Sequence, residues 1–583
     1  MNRFNTAVLC LLLAAGCGKS STPGSGEEPQ IVGTDATFIS GARLIPGDGS
    51  APIENATIIL NKDRVYAVGK EKELKAPKGA LLKEYEGQTI IPMMINLNAY
   101  PGLSTAGEFS PKNYTRDSLI ADLNRYAYYG VAAVAASGDA DGLAVQVRDE
   151  QRQGKATGAL LYTSGRGIAA RGASGILGNV PLLVGSEEEA RKAVAELADR
   201  KADVLVLWAE GMKSATAASV IDEAHKLKLK VFADAPSLSE AKNVVQAGVD
   251  ALIASVREGE VDDELISMMK EKKVSLAPAL SSLEARFVYL DKPRWRGESA
   301  MLEVYPPQLS AYLVDPVFLA RYQRQSDPES FRRQFATASK NLKKLADGGV
   351  TIAFGSGSGM PYTFPGYFEH HELELMVAAG LSPMDALKAA SLSSAAVLGA
   401  ADMGALTIGK KANFMVVSDD PLKEISATKG MDEVWIDGKQ VDRQTLTRNF
   451  EIKVKGITNE DRANEADLQR REAIAAAEAR EQHYGNGKFV LAKPALTVAS
   501  GLVLQTPRRS KVAASPGPPY RVSVQYPGAA GEDLRAFYAE TLRSPWTSAG
   551  GCWERPVPGQ DSKKFRACAE PSAGQIILNI AVQ

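Results

Sequence analysis

Few side chains in this chain have the types and spacing that metal chemistry requires. The 583 residues include four histidines, namely His225, His370, His371 and His483. Two of them begin a segment with carboxylates nearby, His370 to Glu374. His370 and Glu374 stand at helical spacing and could contact one cation, but we interpret them as a surface pair. The other two histidines lie in charged segments and are predicted to be solvated.

A serine-rich segment offers a second possible centre. Ser356-Gly357-Ser358-Gly359 follows an apolar run and would lie at the end of a strand. A serine nucleophile needs a base within hydrogen-bond reach, and no such base can be named here. The sequence also has no His-x-x-Glu-His motif, no phosphate-binding glycine loop and no nucleophile elbow with a matching histidine. The residues alone therefore identify no complete catalytic set.

The elements that would position reactive side chains are organised around one stretch, residues 88–103. Its apolar part, Thr89 to Ile95, is followed by Asn98 and Tyr100 just before a Pro-Gly turn. An apolar run of this length, bounded by turn residues, is typical of a strand buried on both faces of a parallel sheet. Asn98 and Tyr100 would then lie at the carboxyl end of the strand, where barrel enzymes place their chemistry.

Downstream, one local pattern repeats. A predicted helix ends in Gly-Val and a small apolar strand follows, as at Gly130, Gly248 and Gly349. Such alternation predicts a parallel sheet, and eight strands are the number that closes a βα barrel. The eight strand candidates are residues 89–95, 131–137, 159–164, 203–208, 230–234, 250–255, 274–279 and 351–356. The aromatic-rich segment after the seventh strand is predicted to add helices over the barrel mouth.

The framework of the first strand, from Pro92 to Tyr100, resembles the amidohydrolase superfamily, whose pattern there is Pro-Gly-Leu-Ile-Asp-x-His-x-His. The chain most resembles the imidazolonepropionase-like and prolidase-like branch, and the resemblance covers residues 36–445. It implies an α/β fold with a (β/α)8 TIM-like barrel at 92–395. It also implies a composite β-sandwich built from residues 36–91 before the barrel and 396–450 after it.

The resemblance also locates the positions where the superfamily holds one or two zinc ions. Those positions lie at the ends of barrel strands one, four, five, six and eight. In this chain they are occupied by Asn98, Tyr100, Val206, Asp234, Ala254 and Gly357. Only Asp234 offers a strong ligand, whereas zinc usually takes about four. We therefore expect a degenerate site with no metal cofactor.

The first residues have the layout of an export signal. A short apolar run precedes small residues and Cys17, and it is too short to span a bilayer. Residues 1–17 resemble a bacterial lipoprotein signal in which Cys17 receives the lipid. Residues 18–35 form a polar tether. We expect an exported protein anchored in the membrane of a bacterial cell envelope, and an ordinary cleaved signal is the alternative.

The rest of the chain is predicted to form a charged helical linker at 451–485 and a small α+β domain at 486–583. Cys552 and Cys568 lie in that domain, and an exported context favours a disulfide over a metal pair. Lys plus Arg number 68 and Asp plus Glu 69, so the net charge of -1 provides no broad field for nucleic acid. We expect no nucleic-acid partner.

These observations favour a non-catalytic binding or scaffold protein, with a small ligand in the barrel mouth. One alternative is an active hydrolase of C–N bonds, in amides or cyclic amides, with unorthodox chemistry around Asp234, Asn98 and Ser356. Another makes the C-terminal domain the interaction module and the barrel a spacer. The sequence identifies no protein partner.

Overall fold

The computed structural model describes residues 35–447 apart from 106–107, 140–141, 173–179 and 326. It also describes residues 450, 454, 456–479 and 542, and the later strands and helix named below. The chain divides into two compact units between residues 457 and 458. The predicted signal, Cys17 and almost all of the tether lie outside the described residues. Within the described part, no helix is long and apolar enough to cross a membrane.

Unit 1 begins with five strands, which are β1 (Ala36–Leu44), β2 (Ile53–Asn61), β3 (Arg64–Lys70), β4 (Leu81–Glu84) and β5 (Thr89–Pro92). The first part of the barrel contains β6 (Met94–Ala99), β7 (Ser104–Thr105), β8 (Glu108–Phe109), α1 (Arg116–Tyr128), β9 (Val131–Ala136), α2 (Leu143–Arg152), β10 (Leu160–Thr163), β11 (Ile168–Ala170), β12 (Leu182–Val184), α3 (Glu187–Asp199), β13 (Val204–Trp208) and α4 (Ser214–Lys226). The second part contains β14 (Lys230–Asp234), α5 (Leu238–Ala247), β15 (Ala251–Leu252), α6 (Asp263–Lys272), β16 (Ser275–Leu276), α7 (Leu280–Glu284), α8 (Ser299–Leu302), α9 (Pro307–Tyr312), α10 (Pro316–Gln325), α11 (Pro328–Asp347), α12 (Tyr367–Ala378), α13 (Pro383–Lys388) and α14 (Ser394–Leu398). The unit ends with β17 (Phe414–Val417), β18 (Met431–Ile436), β19 (Lys439–Gln440) and α15 (Arg443–Thr447).

Parallel strands build the barrel. β6 pairs with β9 and β9 with β10, while β13, β14, β15 and β16 pair in chain order. The Asp203 N–H donates to the Thr163 carbonyl at 2.8 Å and joins these two sheets. Residues 351–358 close the ring through parallel bridges to β16 and to β6. The result is a TIM-barrel-like α/β fold.

Two predicted strands differ in detail from the structure. Residues 89–95 were predicted as one strand, but the chain forms β5 up to Pro92 and begins β6 at Met94. β5 pairs outside the barrel, with β1 and β17. The eighth strand makes isolated bridges instead of a continuous ladder. Gly357 there has a φ of +70°, a conformation that turns the chain away from extended geometry.

The predicted helix stops are confirmed. Gly130, Gly248 and Gly349 all adopt positive φ, the conformation that ends a helix with least strain in glycine. α5 is an example of the repeated pattern of helix, glycine stop and strand. Ser237 and Glu240 form a capping box at the start of this helix, and Gly248 ends it. Its apolar face is then buried and the chain enters β15.

Strands from before and after the barrel share one eight-stranded sheet. Its order is β19-β18-β17-β5-β1-β2-β3, with β4 paired to β1. β17 runs antiparallel to β5, so distant parts of the sequence meet at the centre of the sheet. The Phe414 and Trp435 rings stack 5.3 Å apart in its separate apolar core.

Unit 2 begins with the helix α16 (Asn459–Ala479) and ends in a six-stranded sheet. Its other elements are β20 (His483–Tyr484), β21 (Phe489–Val490), β22 (Leu496–Ala499), β23 (Leu502–Leu504), β24 (Lys511–Ala514), β25 (Tyr520–Gln525), α17 (Gly531–Thr541), β26 (Thr547–Ala549), β27 (Cys552–Val557), β28 (Gln560–Ser572) and β29 (Gln575–Val582). Phe537 and Tyr538 of α17 are fully buried. A disulfide joins Cys552 to Cys568, which face each other on β27 and β28.

Candidate functional site

Five of the six residues that the resemblance singled out line one pocket. The pocket has a volume of about 430 Å³, and the five residues are Asn98, Tyr100, Asp234, Ala254 and Gly357. Asn98 comes from β6 and Asp234 from β14, each at or near the carboxyl end of its strand. The strand framework therefore places these positions together, at the end of the barrel where the superfamily keeps its chemistry.

Val206 is the exception, because it is absent from the pocket lining. It lies inside β13, opposite Phe232 of β14, and its side chain is buried in the barrel core. An isopropyl group gains free energy from this burial and has no atom that could coordinate a metal or donate a proton. The position therefore has a packing role.

The only carboxylate among the six residues is paired with a cation that the sequence analysis missed. Asp234 accepts two hydrogen bonds from Arg257, at 2.7 Å from Nη1 and 3.2 Å from Nη2. Burial opposes the charge on Arg257, but the Asp234 carboxylate outweighs it and the pKa of Arg257 is raised. Arg257 follows the sixth barrel strand closely, and a charged residue at that edge was the available signal.

Tyr100 and Asn98 present neutral groups to the pocket. Burial, reinforced by the charge of Asp234, raises the pKa of Tyr100, so its phenol keeps its proton. The Asn98 Nδ2 donates to the Ile253 carbonyl at 2.8 Å. The Asn98 Oδ1 is buried, and no partner for it exists among the residues that the structure describes.

These groups do not fit the zinc ions of the superfamily. A protonated phenol and an amide are poor zinc ligands, and the Asp234 carboxylate is already held by a guanidinium. Ala254 and Gly357 contribute no side-chain donor. Among the described residues, no group of three or more His, Cys, Asp or Glu side chains is arranged to hold a metal ion.

Ser356 and Ser358 point into a buried network instead of the pocket. Both hydroxyls donate to Glu369 Oε1, at 2.7 Å and 2.5 Å, and Asn96 Nδ2 donates to the same oxygen at 2.6 Å. Burial raises the pKa of Glu369, and the serine hydrogen bonds oppose that shift. Ser356 has no exposed surface, so a substrate cannot reach its hydroxyl.

The prediction of a surface pair at His370 and Glu374 is wrong. His370 is fully buried, its Nε2 donates to the Tyr129 carbonyl at 2.9 Å, and burial lowers its pKa to about 4. His371 instead contacts Glu374, at 3.1 Å, and also Glu284, at 2.6 Å. Burial opposes the charge on His371, but these carboxylates outweigh it and raise its pKa to about 9. The cause of the error is that α12 is buried on nearly all sides.

α12 also anchors the short helix α7 beside the pocket. The residue before α7 provides no side-chain cap for the first N–H groups of the helix. Glu372 takes that role, because it accepts hydrogen bonds from the backbone N–H groups of Leu280 at 2.9 Å and Ser281 at 2.6 Å. Burial raises the pKa of Glu372 to about 7. His371 holds the other end of α7 through Glu284. Ser282 and Leu283 of α7 line the pocket, so this anchoring fixes one pocket wall.

Comparisons with known proteins agree with the framework. Residues 168–441 match the model of the family described as Amidohydrolase family. The imidazolonepropionase of Deinococcus deserti is 31% identical over 103 residues, which are 17% of this chain and 26% of that protein. The imidazolonepropionase of Deinococcus radiodurans matches to the same extent. The chain thus aligns with about a quarter of the length of these curated relatives.

Solved structures match over a longer part of the chain. A Xaa-Pro dipeptidase with bound methionine has a TM-score of 0.57 at 19% identity, covering 70% of this chain and 99% of its own. Molinate hydrolase has a TM-score of 0.58 at 16% identity, covering 73% and 98%. Phenylurea hydrolase B has a TM-score of 0.56 at 19% identity, covering 72% and 100%. At such identities the likeness shows the fold alone. With the family match over residues 168–441 and the strand motifs, the chain is similar to the amidohydrolase superfamily, and the curated relatives and solved structures that it matches are of the imidazolonepropionase-like and prolidase-like kind.

Proposed function

We propose that this protein is a non-catalytic member of the superfamily that has lost its metal ligands and uses the barrel pocket to bind a small molecule. The observation that carries the proposal is the pairing of Asp234 with Arg257. The one carboxylate left among the six positions neutralises a guanidinium, and that guanidinium would repel a metal ion placed nearby. The pocket nevertheless keeps a volume of about 430 Å³, within the usual range of small-molecule sites, roughly 300–1,000 Å³.

The alternative of a hydrolase built around Asp234, Asn98 and Ser356 receives less support. Ser356 is buried outside the pocket lining and donates to Glu369, so it is not positioned as a nucleophile. Asp234 would have to leave Arg257 before it could act as a base, which would leave an unpaired guanidinium in the pocket. Asn98 cannot transfer a proton at neutral pH.

We further propose that the eight-stranded sheet of unit 1 is the composite β-sandwich of the superfamily. The antiparallel pairing of β5 with β17 supports this, because it joins the segments on either side of the barrel. The six-stranded sheet and α17 are proposed to form a separate α+β domain. A lipid at Cys17 would hold the whole protein in the cell envelope.

The test of the main proposal is metal content together with turnover. After purification in zinc-containing buffer, we expect far less than one zinc per chain by elemental analysis. We also expect no chelator-sensitive hydrolysis of dipeptides or cyclic amides, since a metal-bound water would be needed to supply the nucleophile. A metal-dependent hydrolase prepared in parallel serves as the positive control. Near-stoichiometric zinc, or activity that a chelator abolishes, would refute the proposal.

A further inference from the structure

The three most exposed large apolar side chains among the described residues are Leu81, Leu82 and Ile408. Their exposed fractions are 55%, 66% and 70%. Leu81 and Leu82 are neighbours on β4, where successive side chains point to opposite faces, so neither face of this short strand is covered. Single exposed apolar residues are ordinary on a protein surface, whereas a group of them marks an interaction site.

Strand pairing places the three residues along one row of the eight-stranded sheet. Leu81 pairs with Thr37 of β1, Thr37 with Leu60 of β2, and Leu60 with Val65 of β3. Val65 exchanges two backbone hydrogen bonds, of 2.9 Å and 2.8 Å, with the two residues that follow Ile408. Because neighbouring strands lie about 4.8 Å apart, the row is roughly 20 Å long. Leu81 and Leu82 stand at one end of it and Ile408 at the other.

The chain enters the sheet beside the same row. Asp35 is the first described residue, and its carbonyl accepts a hydrogen bond from the Lys62 N–H at 3.1 Å, in the turn between β2 and β3. Thr37, two residues further on, lies within the row. Residues 18–35 connect this point to Cys17, the predicted site of the lipid. A Gly- and Ser-containing segment of that length spans roughly 25 Å on average as a random coil, which would keep this end of the sheet near the membrane.

The chain segment around the row carries positive charge. Residues 62–83 contain seven Lys and Arg but three Asp and Glu, whereas the whole chain has a net charge of -1. Lys62 and Lys78 are exposed, and neither takes part in an ion pair within the part of the chain that the structure describes. Arg64 differs, because Asp402 pairs with it at 3.1 Å. Unpaired lysines near a bilayer are attracted to anionic headgroups.

We propose that this end of the sheet is a membrane-docking surface. Leu81, Leu82 and Ile408 enter the interface of a bilayer, and Lys62 and Lys78 contact anionic headgroups. The inference rests on the membrane anchor in the proposed function and goes beyond it, because it names the surface that faces the bilayer. Three side chains bind too weakly to hold the protein alone, but a tether raises their effective concentration at the membrane to roughly millimolar. The lipid thus supplies the affinity, and the docking surface orients unit 1.

A second copy of the chain fits this surface less well. In a symmetric dimer the same patch lies on both sides of the interface, so Lys62 and Lys78 would approach the same lysines of the other copy. Like charges repel, whereas an anionic bilayer provides the opposite charge. A membrane is therefore the favoured occupant.

The inference is tested by measuring the depth of single fluorescent labels in a bilayer. Leu82→Cys and Ile408→Cys carry the label, and Leu183→Cys is the matched control, since Leu183 is 40% exposed on β12 of the barrel. The chain from residue 18 carries an N-terminal His tag and binds a nickel-chelating lipid, which replaces the natural anchor. Its two remaining cysteines are joined in the disulfide. The vesicles contain phosphatidylcholine, phosphatidylglycerol and lipids with a quencher at known depth.

We expect the labels at positions 82 and 408 to lie about 5–10 Å within the interface, and the label at position 183 to stay in water. Quenching should weaken in vesicles of phosphatidylcholine alone. It should also weaken at about 1 M salt, where charges are screened within about 3 Å. Leu81→Ser should reduce quenching of the label at position 408, because both ends of the row enter the bilayer together. Leu183→Ser should not.

Quenching at positions 82 and 408 that is no stronger than at position 183 would overturn the inference. So would a dimer in sedimentation that Leu81→Ser dissociates, because the occupant would then be a second copy. Equal quenching in neutral and anionic vesicles would overturn the role assigned to the lysines. All substituted side chains are exposed, and circular dichroism verifies that each variant is folded.

The tagged sample separates this inference from the proposed anchor. An unmodified Cys17 in the native protein, together with quenching in the tagged sample, would refute the lipid and leave the docking surface standing. An acylated Cys17 without quenching in the tagged sample would refute only the docking surface.

Discussion

At the scale of single residues, the pocket holds an ion pair beside neutral polar side chains. Neutral side chains occupy the first strand positions, and the remaining acid binds Arg257 within the same chain. The pair is partly shielded from water, with side-chain exposures of 24% for Asp234 and 19% for Arg257. Each charge in such a pair depends on the other, because an unpaired charge in that environment is costly.

Removing the guanidinium should therefore destabilise the chain. We expect Arg257→Gln to lower the free energy of unfolding by about 1–3 kcal/mol, because Asp234 keeps its charge without a partner. The double variant with Asp234→Asn should recover part of this loss. Urea denaturation followed by circular dichroism measures both. Arg191→Gln is the control, since its ion pairs are exposed to solvent and should contribute much less to stability.

Equal destabilisation by Arg257→Gln and Arg191→Gln would contradict the assigned role of Arg257. So would a double variant that is less stable than Arg257→Gln, since removing the isolated charge is expected to help.

Sequence reasoning found the pocket positions but missed how they are used. Asn98, Tyr100, Asp234, Ala254 and Gly357 could be located because each lies next to a strand motif. The partner of Asp234, Arg257, could not be located in this way, because its role depends on a contact with a residue from another part of the barrel. The position of Arg257 just after the sixth barrel strand was the one available signal, and position alone does not distinguish a solvated arginine from one that completes a pocket.

At the scale of elements, the pocket wall depends on α12, a helix that the sequence made difficult to interpret. Its residues His370, His371 and Glu372 look like an exposed polar face, yet all three are buried. Periodicity cannot reveal such a helix, because it is packed on nearly all sides and its polar groups are satisfied one by one. The helix stops were easier to predict, since a glycine at positive φ is a local requirement.

His371 should make stability depend on pH. Its pKa is raised from 6.5 to about 9, so its contribution is fully present below pH 6.5 and is lost as pH rises through 9. We expect the free energy of unfolding to fall by roughly 2–4 kcal/mol over that window. The pKa of Glu372 is raised from 4.5 to about 7, so Glu372 adds a further loss of stability as pH rises from 4.5 through 7. Glu374, which contacts His371, also pairs with Lys429.

The measurement is the thermal midpoint of unit 1 between pH 6.5 and 9, for wild type and for His371→Gln. The variant should be less stable than wild type at pH 6.5 and should lose most of the fall toward pH 9. His225→Gln is the control, because the His225 side chain is 42% exposed and its contact with Asp250 is open to solvent. A wild-type midpoint that stays constant or rises toward pH 9 would contradict the assignment.

At the scale of the whole molecule, the fold was the most predictable level. Each barrel strand carries its own apolar run and turn signals, so the eight-strand pattern could be read locally. The pairing of β5 with β17 joins sequence segments on either side of the barrel and was accessible only through the family resemblance. The break between the units falls at residues 457 and 458, inside the segment whose composition predicts a linker. The interaction role of the C-terminal domain stays a prediction.

The cellular location of the whole molecule is predicted by its first residues. The apolar run, the small residues before Cys17 and the polar stretch after it predict that the mature chain begins at Cys17 and carries lipid there. Mass spectrometry of the protein from a bacterial membrane fraction should find that N-terminus with acyl chains attached. Cys17→Ser should abolish the modification and the membrane association, because a single hydroxyl side chain cannot replace the thiol that receives the lipid. Cys10→Ser is the control, since Cys10 lies within the apolar run and should be removed with the signal. An unmodified Cys17, or a mature chain cut at another residue and released in soluble form, would show that the signal is an ordinary secretory one.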